Sequence, residues 1–168
     1  MVSMTTHEPP QTLPRRATRH DVASLVDLRS TMFAAMGSDV GDHAAAWRGT
    51  ATLWFEGQLT RPQQFAGFVV DHPVDGVVAA ALGICDTRAP SPHDPSGSHG
   101  HVFNICTDPA HRRQGYGQAC LNALLTWFRT DTEVRVVDLN ATPEGAGLYT
   151  SEGFGQPAFP TLRLRLQR

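Results

Sequence analysis

The stretch His111-Arg112-Arg113-Gln114-Gly115-Tyr116-Gly117 sets arginines and glycines between an apolar run and a helix-forming run. The apolar run is His101-Val102-Phe103-Asn104-Ile105-Cys106-Thr107, closed by Asp108-Pro109. The helix-forming run begins at Gln118 and reaches Phe128. A turn that enters a helix aims several backbone N–H groups at one spot, at the positive end of the helix dipole. That geometry makes a seat for phosphate. Gly115 and Gly117 lack a Cβ, so a ligand can come close to the backbone. Two other phosphate-binding patterns fail here. A nucleotide P-loop needs G-x-x-x-x-G-K-[ST], and the chain has no lysine. A dinucleotide fingerprint needs G-x-G-x-x-G, which the glycine spacing does not supply.

The order strand, R-x-x-G-x-G, helix resembles the acyl-CoA pyrophosphate loop of the GNAT family of N-acetyltransferases. A second segment carries the same resemblance. The strand-like Val134-Arg135-Val136-Val137-Asp138-Leu139 leads into a segment where Leu148-Tyr149 and Gly153-Phe154 resemble the family's L-Y-x-x-x-G-F element. The run from Phe103 to Pro109 is also similar to the matching strand of bacterial ribosomal-protein alanine acetyltransferases. The resemblance spans roughly residues 14–168, with its specific motifs in 101–154. It implies an α/β (α+β) GNAT fold: a mixed central sheet of about six to seven strands with helices on both faces. Two parallel central strands, here 101–107 and 134–139, splay apart to admit the acyl-CoA.

The resemblance also implies roles. The backbone N–H groups of Arg113, Gln114, Gly115, Tyr116, Gly117 and Gln118 hold the pyrophosphate, and Arg112 and Arg113 add charge. In this family the strand before the loop carries a bulge, expected here near Asn104-Ile105-Cys106. It frees backbone groups of Ile105, Cys106 and Thr107 for the pantetheine arm, and the Ile105 N–H for the thioester oxygen. Tyr149 matches the family's general acid, a phenol that protonates the departing thiolate. Asn140 either bonds the pantetheine amides or caps the next helix.

The general base is open between Asp138, His101, and water with no dedicated residue. Asp138 lies in a D-L-N-A-T run that aligns with the E-V-R-A-S run of the alanine acetyltransferases. His101 precedes the bulge, and imidazole is the side chain that changes charge near neutral pH. His101 and Asn104 have opposite strand parity, a rule that only a bulge breaks. His93, His99, His101 and Asp94 are of metal-binding type, but their spacing matches no metal motif and no metal is expected. Cys106 is expected to fill the core rather than carry an acyl group. Trp47, Trp54 and Phe55 are either core residues or the wall of an acceptor pocket.

These residues point to a cytoplasmic acyl-CoA-dependent N-acyltransferase. The co-substrate is acetyl-CoA or another acyl-CoA. The acceptor is the primary amine of a small molecule, reached by direct sequential transfer. A protein N-terminus as acceptor, a carrier- or tRNA-bound donor, and a non-catalytic acyl-CoA-binding module are the alternatives. A net charge of −2 and a pI near 6.4 argue against a general nucleic-acid or anionic-membrane binder. Cys85, Cys106 and Cys120 are odd in number and show no C-x-x-C spacing, which fits a reducing compartment. The first residues lack the basic and apolar regions of a secretory leader, and no run approaches the roughly 18 apolar residues of a membrane span. A homodimer is left open.

Elements must position these groups within 168 residues, a length suited to one domain over 13–168. Residues 1–12 are expected to be a loose tail. A short strand near 14–18 precedes a helix carrying Val22, Leu25, Val26, Leu28, Met32 and Phe33 at helical spacing. A second helix is expected over 42–59. Residues 65–70 and 76–84 read as a hairpin. Residues 87–99, rich in Pro, Ser, Gly and His, read as an exposed loop. Leu162, Leu164 and Leu166 alternate with Arg163 and Arg165, which predicts a half-buried final strand.

Overall fold

The computed structural model describes residues 13–167, so the expected tail over 1–12 lies outside the described residues. The elements run β1 (Arg15–Arg16), α1 (Val22–Ala35), α2 (Ala46–Leu59), β2 (Phe65–His72), β3 (Gly76–Thr87), β4 (Ser98–Thr107), α3 (Tyr116–Asp131), β5 (Val136–Leu139) and α4 (Ala146–Ser151). The strands form one sheet in the order β1-β2-β3-β4-β5. Every neighbouring pair is antiparallel except β4 and β5, which run parallel. A mixed sheet with helices on both faces is the expected class, but it has five strands rather than six or seven.

The missing strand is the C-terminal one. Leu162, Leu164 and Leu166 are 92%, 83% and 73% exposed, and no strand forms after β5 among the described residues. A strand is held by a ladder to a neighbour as much as by its own alternation. Beyond Gly155 the chain pairs with no edge, so the pattern has nothing to bury against. β5 is therefore an edge strand, not a central one. A second difference lies at 87–99, where β4 already begins at Ser98 and His99 is buried.

Strand alternation sorts the core into two layers. Ala79 and Ala81 face α3, which presents Cys120, Leu121, Leu124, Leu125 and Phe128 as a stripe with helical spacing. Ala80 and Leu82 face the other way, against Leu25 and Val26 of α1 and Phe55 of α2. Each fully buried Leu or Phe adds about 1.5–3 kcal/mol of transfer free energy. The first strand and first helix are joined by polar contacts. Both terminal nitrogens of Arg15 donate to the Asp21 carboxylate, at 2.9 and 2.8 Å, and Arg15 also pairs with Asp71 at the end of β2. Asp21 in turn accepts from the Thr18 amide at 2.7 Å, closing the turn that starts α1. Among the described residues no helix is long and apolar enough to cross a membrane.

Candidate functional site

The parallel pairing of β4 with β5 covers only His99–Val102 against Val136–Leu139. β4 continues to Thr107 without β5 beside it, so the two strands part after Val102. The expected bulge lies at that point. Ala80 pairs with Cys106 and Leu82 with Phe103, which leaves Asn104 and Ile105 opposite Ala81 alone. Asn104 takes the left-handed conformation, with φ of 53°, which asparagine tolerates better than most residues. The bulge resets the alternation. Phe103 and Cys106 pack on the α1–α2 side, Ile105 packs on the α3 side, and Asn104 accepts a bond from Arg29 of α1 at 3.2 Å. His101 and Asn104 thus reach the same side of the sheet despite their opposite parity. A bulge also removes a residue from the ladder, which frees backbone groups where the strands separate.

β4 ends in a short 3-10 turn, Pro109–His111, capped by the Asp108 carboxylate, which accepts from the Ala110 amide at 2.9 Å. Arg112, Arg113, Gln114 and Gly115 then form an exposed loop into α3. Arg113 and Gly115 have φ of 65° and 79°. Gly115 is the N-cap of α3, where the left-handed turn favours glycine. The amides of Tyr116, Gly117 and Gln118 occupy the first turn, whose N–H groups have no partner within a helix. Gly117 stands close to β4: a Cβ there would lie 3.2 Å from Thr107 Oγ1. The Arg112 side chain donates to the Thr107 carbonyl at 3.4 Å. Gln118 donates through its side chain to Glu152 at 3.0 Å, linking α3 to the end of α4 and leaving its backbone N–H at the loop. The loop thus combines free amides, a dipole end and two exposed guanidinium groups, a donor set that fits a pyrophosphate.

The β2–β3 hairpin holds the entry to this loop. His111 Nε2 lies 2.8 Å from Asp75 Oδ2, and the His111 and His72 rings are 4.5 Å apart. Among the described residues, His72, Asp75 and His111 are the one group of three metal-type side chains with ligand atoms within 4.8 Å of one another. Hydrogen bonds already engage them: His72 Nδ1 accepts from the amides of Val74 and Asp75. His93, His99 and His101 are not drawn together. His99 bonds Asp138, and His101 stacks on Phe103.

Tyr149 on α4 packs edge-on against Phe154, with ring centroids 6.2 Å apart, beside the α3-side core. Gly145 makes room for it, since a Cβ there would come within 2.9 Å of the Tyr149 ring. Burial pushes the Tyr149 phenol above its ordinary pKa, so the proton stays on at neutral pH. Asn140 is exposed and does not cap α4; the Gly145 amide finds Thr142 Oγ1 at 3.3 Å instead. Burial pushes the Cys106 thiol up to about 11, which leaves little thiolate for nucleophilic attack.

On the opposite side of the sheet lies a pocket of about 580 Å³, lined by Arg29, Trp47, Trp54, Phe55, His101 and Phe103 among others. Its aromatic side chains serve both as core and as wall. Phe55 is fully buried, whereas Trp54 is 41% exposed. Trp47 is fixed by its Nε1, which donates to the Val40 carbonyl at 2.8 Å. Asp138 is on this same sheet face, paired through the backbone with His101, but its carboxylate lies 2.6 Å from His99 Nε2. Arg29 escaped the sequence reading because an arginine on an amphipathic helix normally points to solvent. Its partner Asn104 sits in the bulge, 75 residues away along the chain.

Comparison with known proteins agrees with this geometry. The sequence pattern of the acetyltransferase (GNAT) family matches residues 25–154. A crystal structure of a predicted acetyltransferase with acetyl-CoA from Clostridium acetobutylicum is 20% identical, covers 90% of this chain and 94% of its own, and superposes with a TM-score of 0.78. A GCN5-related N-acetyltransferase from Ralstonia eutropha JMP134 is 24% identical over 90% of this chain and 97% of its own, with a TM-score of 0.76. Glucosamine-6-phosphate N-acetyltransferase from Arabidopsis thaliana is 13% identical over 90% and 96%, with a TM-score of 0.70. No curated protein sequence matches the chain. A parted parallel strand pair, a bulge at the parting and a glycine–arginine loop at a helix start, within a matching sequence pattern, place this chain in the GNAT family of acetyltransferases.

Proposed function

We propose that this acetyltransferase moves an acyl group, acetyl in the first instance, from acyl-CoA directly to the primary amine of a small molecule. The observation that carries the reading is the aromatic pocket of about 580 Å³ on the sheet face that Asn104 reaches from the bulge. That size suits a small ligand.

The thioester supplies the activated acyl carbon. The residues of the chain bind, orient and move protons. The amides of 113–118, with Arg112 and Arg113, take the pyrophosphate, and this remote binding positions the reacting end. Backbone groups of Ile105, Cys106 and Thr107 receive the pantetheine arm, and Asn140, exposed in the loop after β5, offers its amide to the same arm. The Ile105 N–H donates to the carbonyl oxygen as charge builds there. His101, in the pocket wall, accepts the proton of the amine. Asp138 is the other candidate, and it serves the amine only after leaving His99. The C–N bond forms, the C–S bond breaks, and Tyr149 gives its proton to the departing sulfur. The free thiols Cys85, Cys106 and Cys120 fit a reducing, cytoplasmic setting.

A panel of small amines and short peptides, with acetyl-CoA and thiol detection, tests the reading. Steady thiol release with at least one small amine is expected. Release at the hydrolysis background with every amine overturns enzyme in favour of binding module. Turnover confined to peptides overturns the small-molecule acceptor.

A further inference from the structure

The pocket holds a charge that the chain does not neutralise. Arg29 lines it among Trp47, Trp54, Phe55 and Phe103. Its guanidinium lies over the Phe33 ring, 4.7 Å from the centroid. Asp27 is the acidic residue of the same helix, and it pairs with Arg48 at 3.1 Å. Among the described residues Arg29 forms no salt bridge, and its side-chain hydrogen bond goes to a neutral acceptor, Asn104 Oδ1 at 3.2 Å. Burial works against its charge.

Asn104 adds a second, independent observation. It is 3% exposed, and its Nδ2 has no hydrogen-bond partner. Buried polar groups are almost always satisfied, and an orphan donor is costly. Arg29 already occupies Asn104 Oδ1, so the orphan amide N–H₂ stands beside the guanidinium. Both groups offer N–H and neither has an anionic acceptor. The surrounding wall is aromatic.

We propose that the acceptor is an amine carrying a carboxylate on an apolar body, the carboxylate received by Arg29, whose guanidinium is anchored on Asn104 Oδ1, and the body by Trp47, Trp54 and Phe103. The proposal rests on the acyl-transfer reading and names its substrate class. A carboxylate brings two coplanar oxygens, which suit a guanidinium fork. It also supplies the single negative charge that Arg29 lacks. A dianionic phosphate asks for more positive charge than one guanidinium gives.

The test compares phenylalanine, phenylalaninamide and 2-phenylethylamine as acceptors, with rates of thiol release normalised to free-amine concentration. Phenylalanine is expected to lead the two neutral compounds by roughly 10- to 100-fold in kcat/KM, the range of a charged hydrogen bond. R29Q should erase that preference and R29K should keep part of it. Calorimetric acetyl-CoA affinity should be unchanged in both variants, which shows that they are folded. Equal kcat/KM for the three amines in the wild type overturns the proposal, and so does a preference that survives in R29Q. The phosphonate analogue of phenylalanine is the further arm; a tenfold lead over phenylalanine overturns the carboxylate assignment. If no amine turns over, the acyl-transfer reading fails by itself. The site is then judged by tryptophan fluorescence with N-acetylphenylalanine and N-acetyl-2-phenylethylamine in the presence of CoA. Tighter binding of the carboxylate, lost in R29Q, upholds it, and equal binding overturns it.

Discussion

His99 Nε2 and Asp138 Oδ2 lie 2.6 Å apart across the parallel strands β4 and β5. Arg88 stands 3.9 Å from the same carboxylate oxygen. The Asp138 carboxylate is thus already engaged, and it must leave His99 before it can reach an amine. Among the described residues His101 has no such partner; it stacks on Phe103 in the pocket wall.

His101→Gln should therefore cut kcat/KM most at neutral pH, with the loss shrinking at high pH, where free amine is abundant. Full pH–rate profiles on one good acceptor check this. The same pattern in Asp138→Asn, with a wild-type profile in His101→Gln, would transfer the role to Asp138. Wild-type profiles in both would assign deprotonation to water or to the acceptor itself.

Tyr149→Phe should lower kcat by roughly 10²–10⁴-fold, the usual reach of general acid catalysis. The acetyl-CoA dissociation constant should change little, because the hydroxyl acts on the developing thiolate. Single-turnover kinetics beside calorimetry separate the two quantities. Wild-type kcat, with chemistry rate-limiting, would remove Tyr149 from the mechanism.

Gly117→Val should weaken CoA binding more than tenfold. Its Cβ would crowd Thr107 Oγ1, which already lies 3.2 Å from that point, and its methyl groups would enter the space above the loop amides. The stability cost of such overpacking is about 1–3 kcal/mol. Calorimetry on variant that melts cooperatively is the measurement. Unchanged CoA affinity would show that the pyrophosphate sits elsewhere.

Asp21→Asn should destabilise the fold by about 1–3 kcal/mol by breaking the charged bonds to Arg15. Those bonds hold the Asp21 carboxyl below its ordinary pKa. The folded value is the lower one, so this stabilisation is fully present above the unfolded value near 3.8 and fades as the pH falls through the folded value. Urea melts of wild type and variant should differ at pH 7 and converge as the pH is lowered well below 3.8. A constant difference across that range would mean that Asp21 acts through shape rather than charge.

Local chemistry made much of this protein legible in its sequence. Glycine at 115 and 117, arginine at 112 and 113, and the apolar strand before them have the local pattern expected of an anion-binding loop, through steric and dipole rules that act within a few residues. Helical spacing in Val22, Leu25 and Val26 and in Leu121, Leu124 and Phe128 identifies the helices on either face. The bulge near Asn104 follows from the family resemblance, and the register places it there. Long-range pairing was decided only in the folded chain. Alternation at Leu162, Leu164 and Leu166 cannot say whether an edge is available to pair with, and here none receives it. The sequence shows His101 and Asp138 as separate candidates for the base. In the folded chain the Asp138 backbone pairs with His101, yet its carboxylate turns to His99 Nε2 and leaves the His101 ring to the pocket wall. Arg29 is unremarkable on its own helix. In the fold it lines a pocket with Trp47, Trp54 and Phe55 of α2 and bonds Asn104 of the bulge, contacts between segments far apart in the chain that only tertiary packing brings together.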